Sequence, residues 1–142
     1  MSSAGAAVAV AATLLWLGMV LAISFLEAPL KFRAPNVTTQ IGLGIGRLVF
    51  RALNSVEVAF AVVILVAAVA SPPPTGVTVA FVVAFAMLGL QLGAVRPRLN
   101  RRSDKVLAGL NAPRSRAHYG YVGLELVKVV ALAVAGVLLL SS

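Results

Sequence analysis

Phe25-Leu26-Glu27-Ala28-Pro29-Leu30-Lys31-Phe32-Arg33-Ala34-Pro35 closes a run from residue 6 to residue 26 that contains no charged side chain. A run of that length, without charge, is long enough to cross a bilayer as a helix. It has no basic segment ahead of it and no clear small-residue cleavage site after it, so it reads as a retained first span, not a signal peptide. Pro29 cannot continue a helix in the ordinary way and biases Ala28 away from helical dihedrals, which places Glu27 in the last turn of that span or just past a kink. A carboxylate there opposes the helix dipole. Drawn toward mid-membrane it would cost up to roughly 2.5–3.5 kcal/mol. Lys31, four residues on, is the nearest compensating charge, followed by Arg33, Arg47 and Arg51.

The composition extends this reading to the whole chain. Of 142 residues, 61% are hydrophobic and only 11% charged, where a soluble domain is near half apolar and about a quarter charged. The mean hydropathy is +1.02. Four spans fill most of the length, at about 6–26, 52–70, 77–95 and 122–140, leaving one integral membrane domain over 1–142 and no separate soluble one. The expected fold is an all-α bundle of four transmembrane helices. The absence of cysteine excludes disulfides, thiolate nucleophiles and iron–sulfur clusters.

Between the spans lie two long basic connections, 27–51 with four Lys or Arg residues and 96–121 with seven. The Pro-rich turn Ser71-Pro72-Pro73-Pro74-Thr75-Gly76 and both chain ends carry no charged side chain. The positive-inside rule then puts both connections in the cytoplasm and both termini outside, in a multi-pass protein whose expected location, by the resemblance described below, is a bacterial plasma membrane. This placement also argues against nucleic acid as the reason for the net charge of +8. The basic residues read as juxtamembrane topology signals that meet anionic lipid head groups.

Within the first connection Thr38 or Thr39 is suited to cap a helix whose Ile41, Ile45, Leu48 and Ala52 share one face along the interface. Gly42, Gly44 and Gly46 do not form a nucleotide fingerprint, because no strand precedes them and the third glycine comes too early. They point to a hinge or a close backbone contact. Gly18 with Ala22, and Gly89 with Gly93 flanking Gln91, are small-xxx-small pairs of the kind that let helices approach closely. Ser103 to Gly109 suggests a short helical turn. Ser55-Val56-Glu57-Val58 and Gly123-Leu124-Glu125-Leu126 share a small–apolar–Glu–apolar pattern at similar depth, which either reflects a parallel internal repeat of two helix pairs or is chance.

All four acidic residues, Glu27, Glu57, Asp104 and Glu125, fall toward the basic side of the spans, and the opposite halves are nearly bare of polar groups. Ionisable residues inside spans must be paired or solvated and are functional candidates for that reason. Glu57 and Glu125 are also compatible with favourable helix N-terminal positions, Glu125 with Lys128 as an intrahelical partner. The candidate binding residues are Glu27, Lys31 and Arg33 at an inner mouth, Arg47, Arg51, Asn54 and Glu57 opposite, and Glu125 and Lys128 completing it. A single histidine, His118, excludes bis-histidine haem and multi-histidine metal centres. No nucleophile motif, cofactor or metal set is evident, so an enzyme is not favoured.

The chain resembles a family of uncharacterised small bacterial four-helix membrane proteins. The likeness rests on Trp16-Leu17-Gly18, on Ser24 through Pro35, on Ile41-Gly42-Leu43-Gly44-Ile45-Gly46-Arg47-Leu48-Val49-Phe50 and on Ala52-Leu53-Asn54-Ser55-Val56-Glu57. In the second half only the basic connection, His118-Tyr119 and the Glu125–Lys128 pair add to it. The resemblance implies fold and membrane location and carries no catalytic role. Two functions are therefore expected as rivals. One is a transporter-like carrier or binding protein for a small anionic solute or lipid head group, plausible as a homodimer. The other is an accessory or structural subunit of a larger membrane complex.

Overall fold

A computed structural model describes residues 1–110 and 116–142 of the chain. Every regular element among the described residues is helical, and they join into four long helices: α1 (Ser3–Arg33), α2 (Thr39–Ala70), α3 (Thr75–Leu107) and α4 (Arg116–Ser141). Each is long and apolar enough to cross a membrane. Arg114 lies outside the described residues.

All four helices run further than the hydrophobic pattern indicates. At about 1.5 Å per residue, the 32 residues of α2 extend roughly 48 Å, against about 30 Å of hydrocarbon. The expected interfacial helix and the second span are thus one continuous rod, opened by Thr38, whose hydroxyl accepts from the Ile41 N–H at 3.1 Å. Asn36, in the left-handed region with φ 67°, turns the chain between α1 and α2, a conformation that asparagine tolerates.

Pro29 and Pro97 do not end their helices; of the two alternatives for Pro29, the end of the span or an irregularity within a helix that continues, the second is found. Each proline is preceded by a wide π-helical segment, Leu21–Glu27 in α1 and Gln91–Val95 in α3. In these the Ala28 N–H donates to the Ile23 carbonyl and the Arg96 N–H to the Gln91 carbonyl, five residues back. A proline ring clashes with the carbonyl four residues before it and offers no N–H in return. The wider turn moves that carbonyl aside, so the helix passes the proline with a local change of register. Likewise Ser103 to Leu107 belongs to α3 and not to a separate turn.

In the bundle α1 packs between α2 and α4, and α3 packs on α4. The seams use small residues, Ala9 and Ala12 on α1, Ala80 and Ala84 on α3 and Ala131 and Ala135 on α4, all buried. Trp16 fills the centre, with Phe85 stacked at 6.1 Å and Phe81 6.2 Å beyond it. The apolar stretches of α2 and α3 scarcely touch. Those two helices meet at their basic ends, where Arg47 pairs with Asp104 at 2.5 Å and the Gln40 amide donates to the Leu107 carbonyl at 3.0 Å. The N-terminus lies at the other end, beside the Pro-rich turn, with the Ser2 N–H donating to Ser71 Oγ. Gly76 faces Leu138 there, so the C-terminus shares that end.

The glycines divide into two kinds. A methyl group on Gly42 would overlap the Phe32 ring, and one on Gly46 would sit 3.0 Å from Lys31 Nζ. These two form a smooth track on α2 that receives the foot of α1, a close contact of the sort expected from the sequence. Gly18, Gly89 and Gly93, by contrast, face open space within this chain, so the small-xxx-small pairs do not serve the packing of these four helices.

Candidate functional site

Four helices converge on a buried polar cluster near the basic ends of the spans. Its hub is Lys128 of α4, fully buried. An ammonium has three N–H donors, and the Lys128 group meets three acceptors: Glu57 Oε1 at 2.6 Å, Gln91 Oε1 at 2.8 Å and Glu125 Oε1 at 2.5 Å. Glu57 and Gln91 are also fully buried, and Glu125 is 1% exposed. Burying such charges is costly, several kcal/mol per ion in real proteins, unless geometry and further hydrogen bonds compensate.

Those further bonds are present. Trp16 Nε1 donates to Glu57 Oε1 at 3.2 Å and Asn54 Nδ2 to Glu57 Oε2 at 3.1 Å. Ser24 Oγ donates to Glu125 Oε2 at 2.8 Å, and Gln91 Nε2 lies 3.3 Å from Glu125 Oε1 and 3.4 Å from the Tyr121 carbonyl. The two π-helical segments hold two of these partners. Ser24 lies within the first and Gln91 begins the second, and each continues the buried face of its helix, four residues after Val20 and three after Leu88.

Below the cluster, toward the basic end, a cavity of about 420 Å³ opens between α1, α2, α3 and the start of α4. Glu125, Ser24 and Tyr121 form its roof, contiguous with the cluster. Phe25, Phe32, Phe50 and Leu99 give it an apolar body, and Lys31, Arg47, Arg96 and Arg102 a basic wall. Arg96 lies against two rings, its guanidinium carbon 5.1 Å from the Phe50 centroid and 4.6 Å from that of Tyr121. Its Nε and Nη2 are buried with no hydrogen-bond partner, as is the Tyr121 hydroxyl. Buried polar groups without partners are costly in a protein interior, and a guanidinium satisfied only by ring faces retains its N–H donors for an oxygen acceptor. A second, more open cleft of about 680 Å³ between α2 and α3 shares Arg47, Arg96 and Asn100 with the cavity.

Glu27 pairs with Lys31 but lines neither the cavity nor the cleft, and the other sequence-derived residues fall into three groups. Asn54, Glu57, Glu125 and Lys128 come together in the cluster. Lys31 and Arg47 line the cavity, and Lys31 lies 3.8 Å from Glu27, the pairing that the four-residue spacing predicts. Arg33 is exposed at the foot of α1 and Arg51 lines only the open cleft, so neither joins the inner mouth. The residues that sequence reasoning passed over are Trp16, Ser24, Gln91, Arg96 and Tyr121. An isolated tryptophan, serine or glutamine in an apolar helix carries no pattern of its own. The two prolines that follow Ser24 and Gln91 by a turn and a half are the only local sign that the register changes there. Among the described residues no group of three or more His, Cys, Asp or Glu side chains is arranged to hold a metal ion. No family model, curated protein or solved structure matches the chain.

Proposed function

We propose that this chain is a carrier or binding protein for an amphiphilic organic anion, a phosphate or carboxylate on a small apolar body, which it takes up in the cavity above the basic end. The observation that carries this reading is Arg96, which lines the cavity and has two buried nitrogens without a hydrogen-bond partner. Lys31 stands on the same wall, with aromatic rings below. A cavity of that volume suits a small-molecule ligand, and an arginine presents donors in a fork that fits carboxylate and phosphate oxygens. In this reading the membrane is a bacterial plasma membrane with the basic end in the cytoplasm, so the cavity faces a supply of anionic metabolites and of anionic lipid head groups. The halves form a parallel repeat. The interval from position 29 to 97, between the two prolines, equals that from 57 to 125, between the two buried glutamates, and each proline follows a π-helical segment.

Native mass spectrometry of the protein extracted in a mild non-ionic detergent tests the binding function. The expected result is a co-purifying anion, retained by wild type and lost from Arg96→Gln. A phospholipid mass identifies a head group as the occupant, and a small acid identifies a solute. A protein that carries neither, and still carries neither after incubation with phenyl phosphate or phosphatidic acid, is not such a binder. The accessory-subunit reading draws on a different observation, the open Gly89 and Gly93 face of α3. A stoichiometric larger partner in the same spectra would favour it.

A further inference from the structure

We propose that Glu125 is a proton-binding site, holding a proton on Oε2 that it shares with Ser24 and exchanges through the cavity. The buried cluster contains two carboxylates, Glu57 and Glu125, and one ammonium, Lys128. Within this hydrogen-bonded set one negative charge is left over, and Arg96 on the adjoining cavity wall makes no hydrogen bond to it through Nε or Nη2. A single proton balances it, and the hydrogen-bond geometry decides which carboxylate can carry that proton.

Glu57 is surrounded by donors. Its Oε1 receives Trp16 Nε1 and Lys128 Nζ, and its Oε2 receives Asn54 Nδ2. An indole nitrogen and an ammonium cannot accept a proton, and a proton on Oε2 would require the Asn54 amide to turn over. Glu125 Oε1 is likewise met by donors, Lys128 Nζ and Gln91 Nε2. Glu125 Oε2 is different. Its partner at 2.8 Å is the Ser24 hydroxyl, which can accept as well as donate. With the proton on Glu125, Oε2–H donates to Ser24 Oγ, whose own proton is then free to turn away from the carboxyl, so the contact between the two oxygens is kept in either state.

The other charged and titratable groups around Glu125 are committed elsewhere or lie on the cavity wall. On its own helix these are Lys128, Tyr121 and His118, and from α2 they are Glu57, behind Lys128, and Arg47, paired with Asp104. From α3 come Arg96, set against the Tyr121 ring, and Arg102, and from α1 comes Lys31, beside Glu27. Glu125 and Ser24 both line the cavity, whereas Glu57 does not. The proton therefore has a path to water, or to an occupant of the cavity, only at Glu125.

Infrared spectroscopy of the detergent-solubilised protein at pH 7 tests this without any anion ligand, so it stands apart from the binding experiment. The chain has only four carboxyl side chains, which makes the carbonyl band of a protonated carboxyl readable. The expected result is one such band in wild type, shifted by carbon-13 labelling of glutamate, moved by exchange into deuterium oxide, and absent from Glu125→Gln and from Glu57→Gln, since in either variant the remaining carboxylate is balanced by Lys128. Ser24→Ala removes the acceptor and shifts the band even if Glu125→Gln fails to fold. No protonated-carboxyl band in wild type would overturn the proposal. So would a band that Ser24→Ala leaves unmoved, or one that survives in Glu125→Gln.

Discussion

Replacing Lys128 with methionine isolates the energetics of the cluster. Methionine has nearly the length and shape of the lysine stem, so Lys128→Met removes the ammonium with little change in packing. Three acceptors then lose their shared donor: Glu57 Oε1 at 2.6 Å, Gln91 Oε1 at 2.8 Å and Glu125 Oε1 at 2.5 Å. Removing one partner of a buried ion pair costs about 3–5 kcal/mol, because the remaining charge stays buried without compensation. That corresponds to a loss of roughly two to three and a half powers of ten in the folding equilibrium constant. Trp16 is the only tryptophan and donates to Glu57, so its fluorescence reports on the cluster during denaturant unfolding in detergent. The same variant combined with Glu57→Gln lacks the stranded carboxylate and is expected to recover most of the loss. If Lys128→Met unfolds within about 0.5 kcal/mol of wild type, the scale of an inconsequential surface substitution, the cluster does not hold the helices together as described. Failure of Glu57→Gln to rescue would locate the cost in packing instead of charge.

The track on α2 predicts that Gly42→Ala, whose added methyl would meet the Phe32 ring, destabilises by about 1–3 kcal/mol, read as a lowered thermal midpoint. Gly89→Leu adds a side chain into open space and leaves the thermal midpoint of the isolated chain unchanged, while disrupting any assembly that uses that face, as read by size in detergent. If Glu125 binds a proton, phenyl phosphate added to weakly buffered protein changes the pH of the solution in wild type. The Glu125→Gln protein binds the same probe without that change.

The four spans, the two basic ends and the grouping of Asn54, Glu57, Glu125 and Lys128 follow from elementary features of the sequence. Uncharged runs of bilayer length allow little but helices, and buried charges must find one another. Glu125 and Lys128 are three residues apart on one helix, so their pairing was legible locally. Their meeting with Glu57 was legible only as a requirement for compensation. The partners Ser24 and Gln91 were not legible, because a lone serine or glutamine on the buried face of an apolar helix has no pattern of its own; the π-helical segments that hold them, ahead of Pro29 and Pro97, were equally hidden. The same segments explain why Pro29 fails to end α1. Arg96 was hidden for another reason: it is one of seven basic residues in its connection, and only the fold singles it out by setting it against Phe50 and Tyr121. The open glycines of α3 teach the converse, since a GxxxG pattern marks a possible close approach without saying that this chain supplies the neighbour.

In the proposed function the cavity under the cluster binds an amphiphilic anion through Arg96. Isothermal titration calorimetry of the purified protein with phenyl phosphate, in parallel with Arg96→Gln, tests it most directly. Hydrogen bonds to a charged group contribute about 1.5–3 kcal/mol, so the account predicts saturable binding at one site per chain in wild type, weakened roughly ten- to a hundredfold in the variant. Absence of saturable binding, or equal affinity in the two proteins, would contradict it.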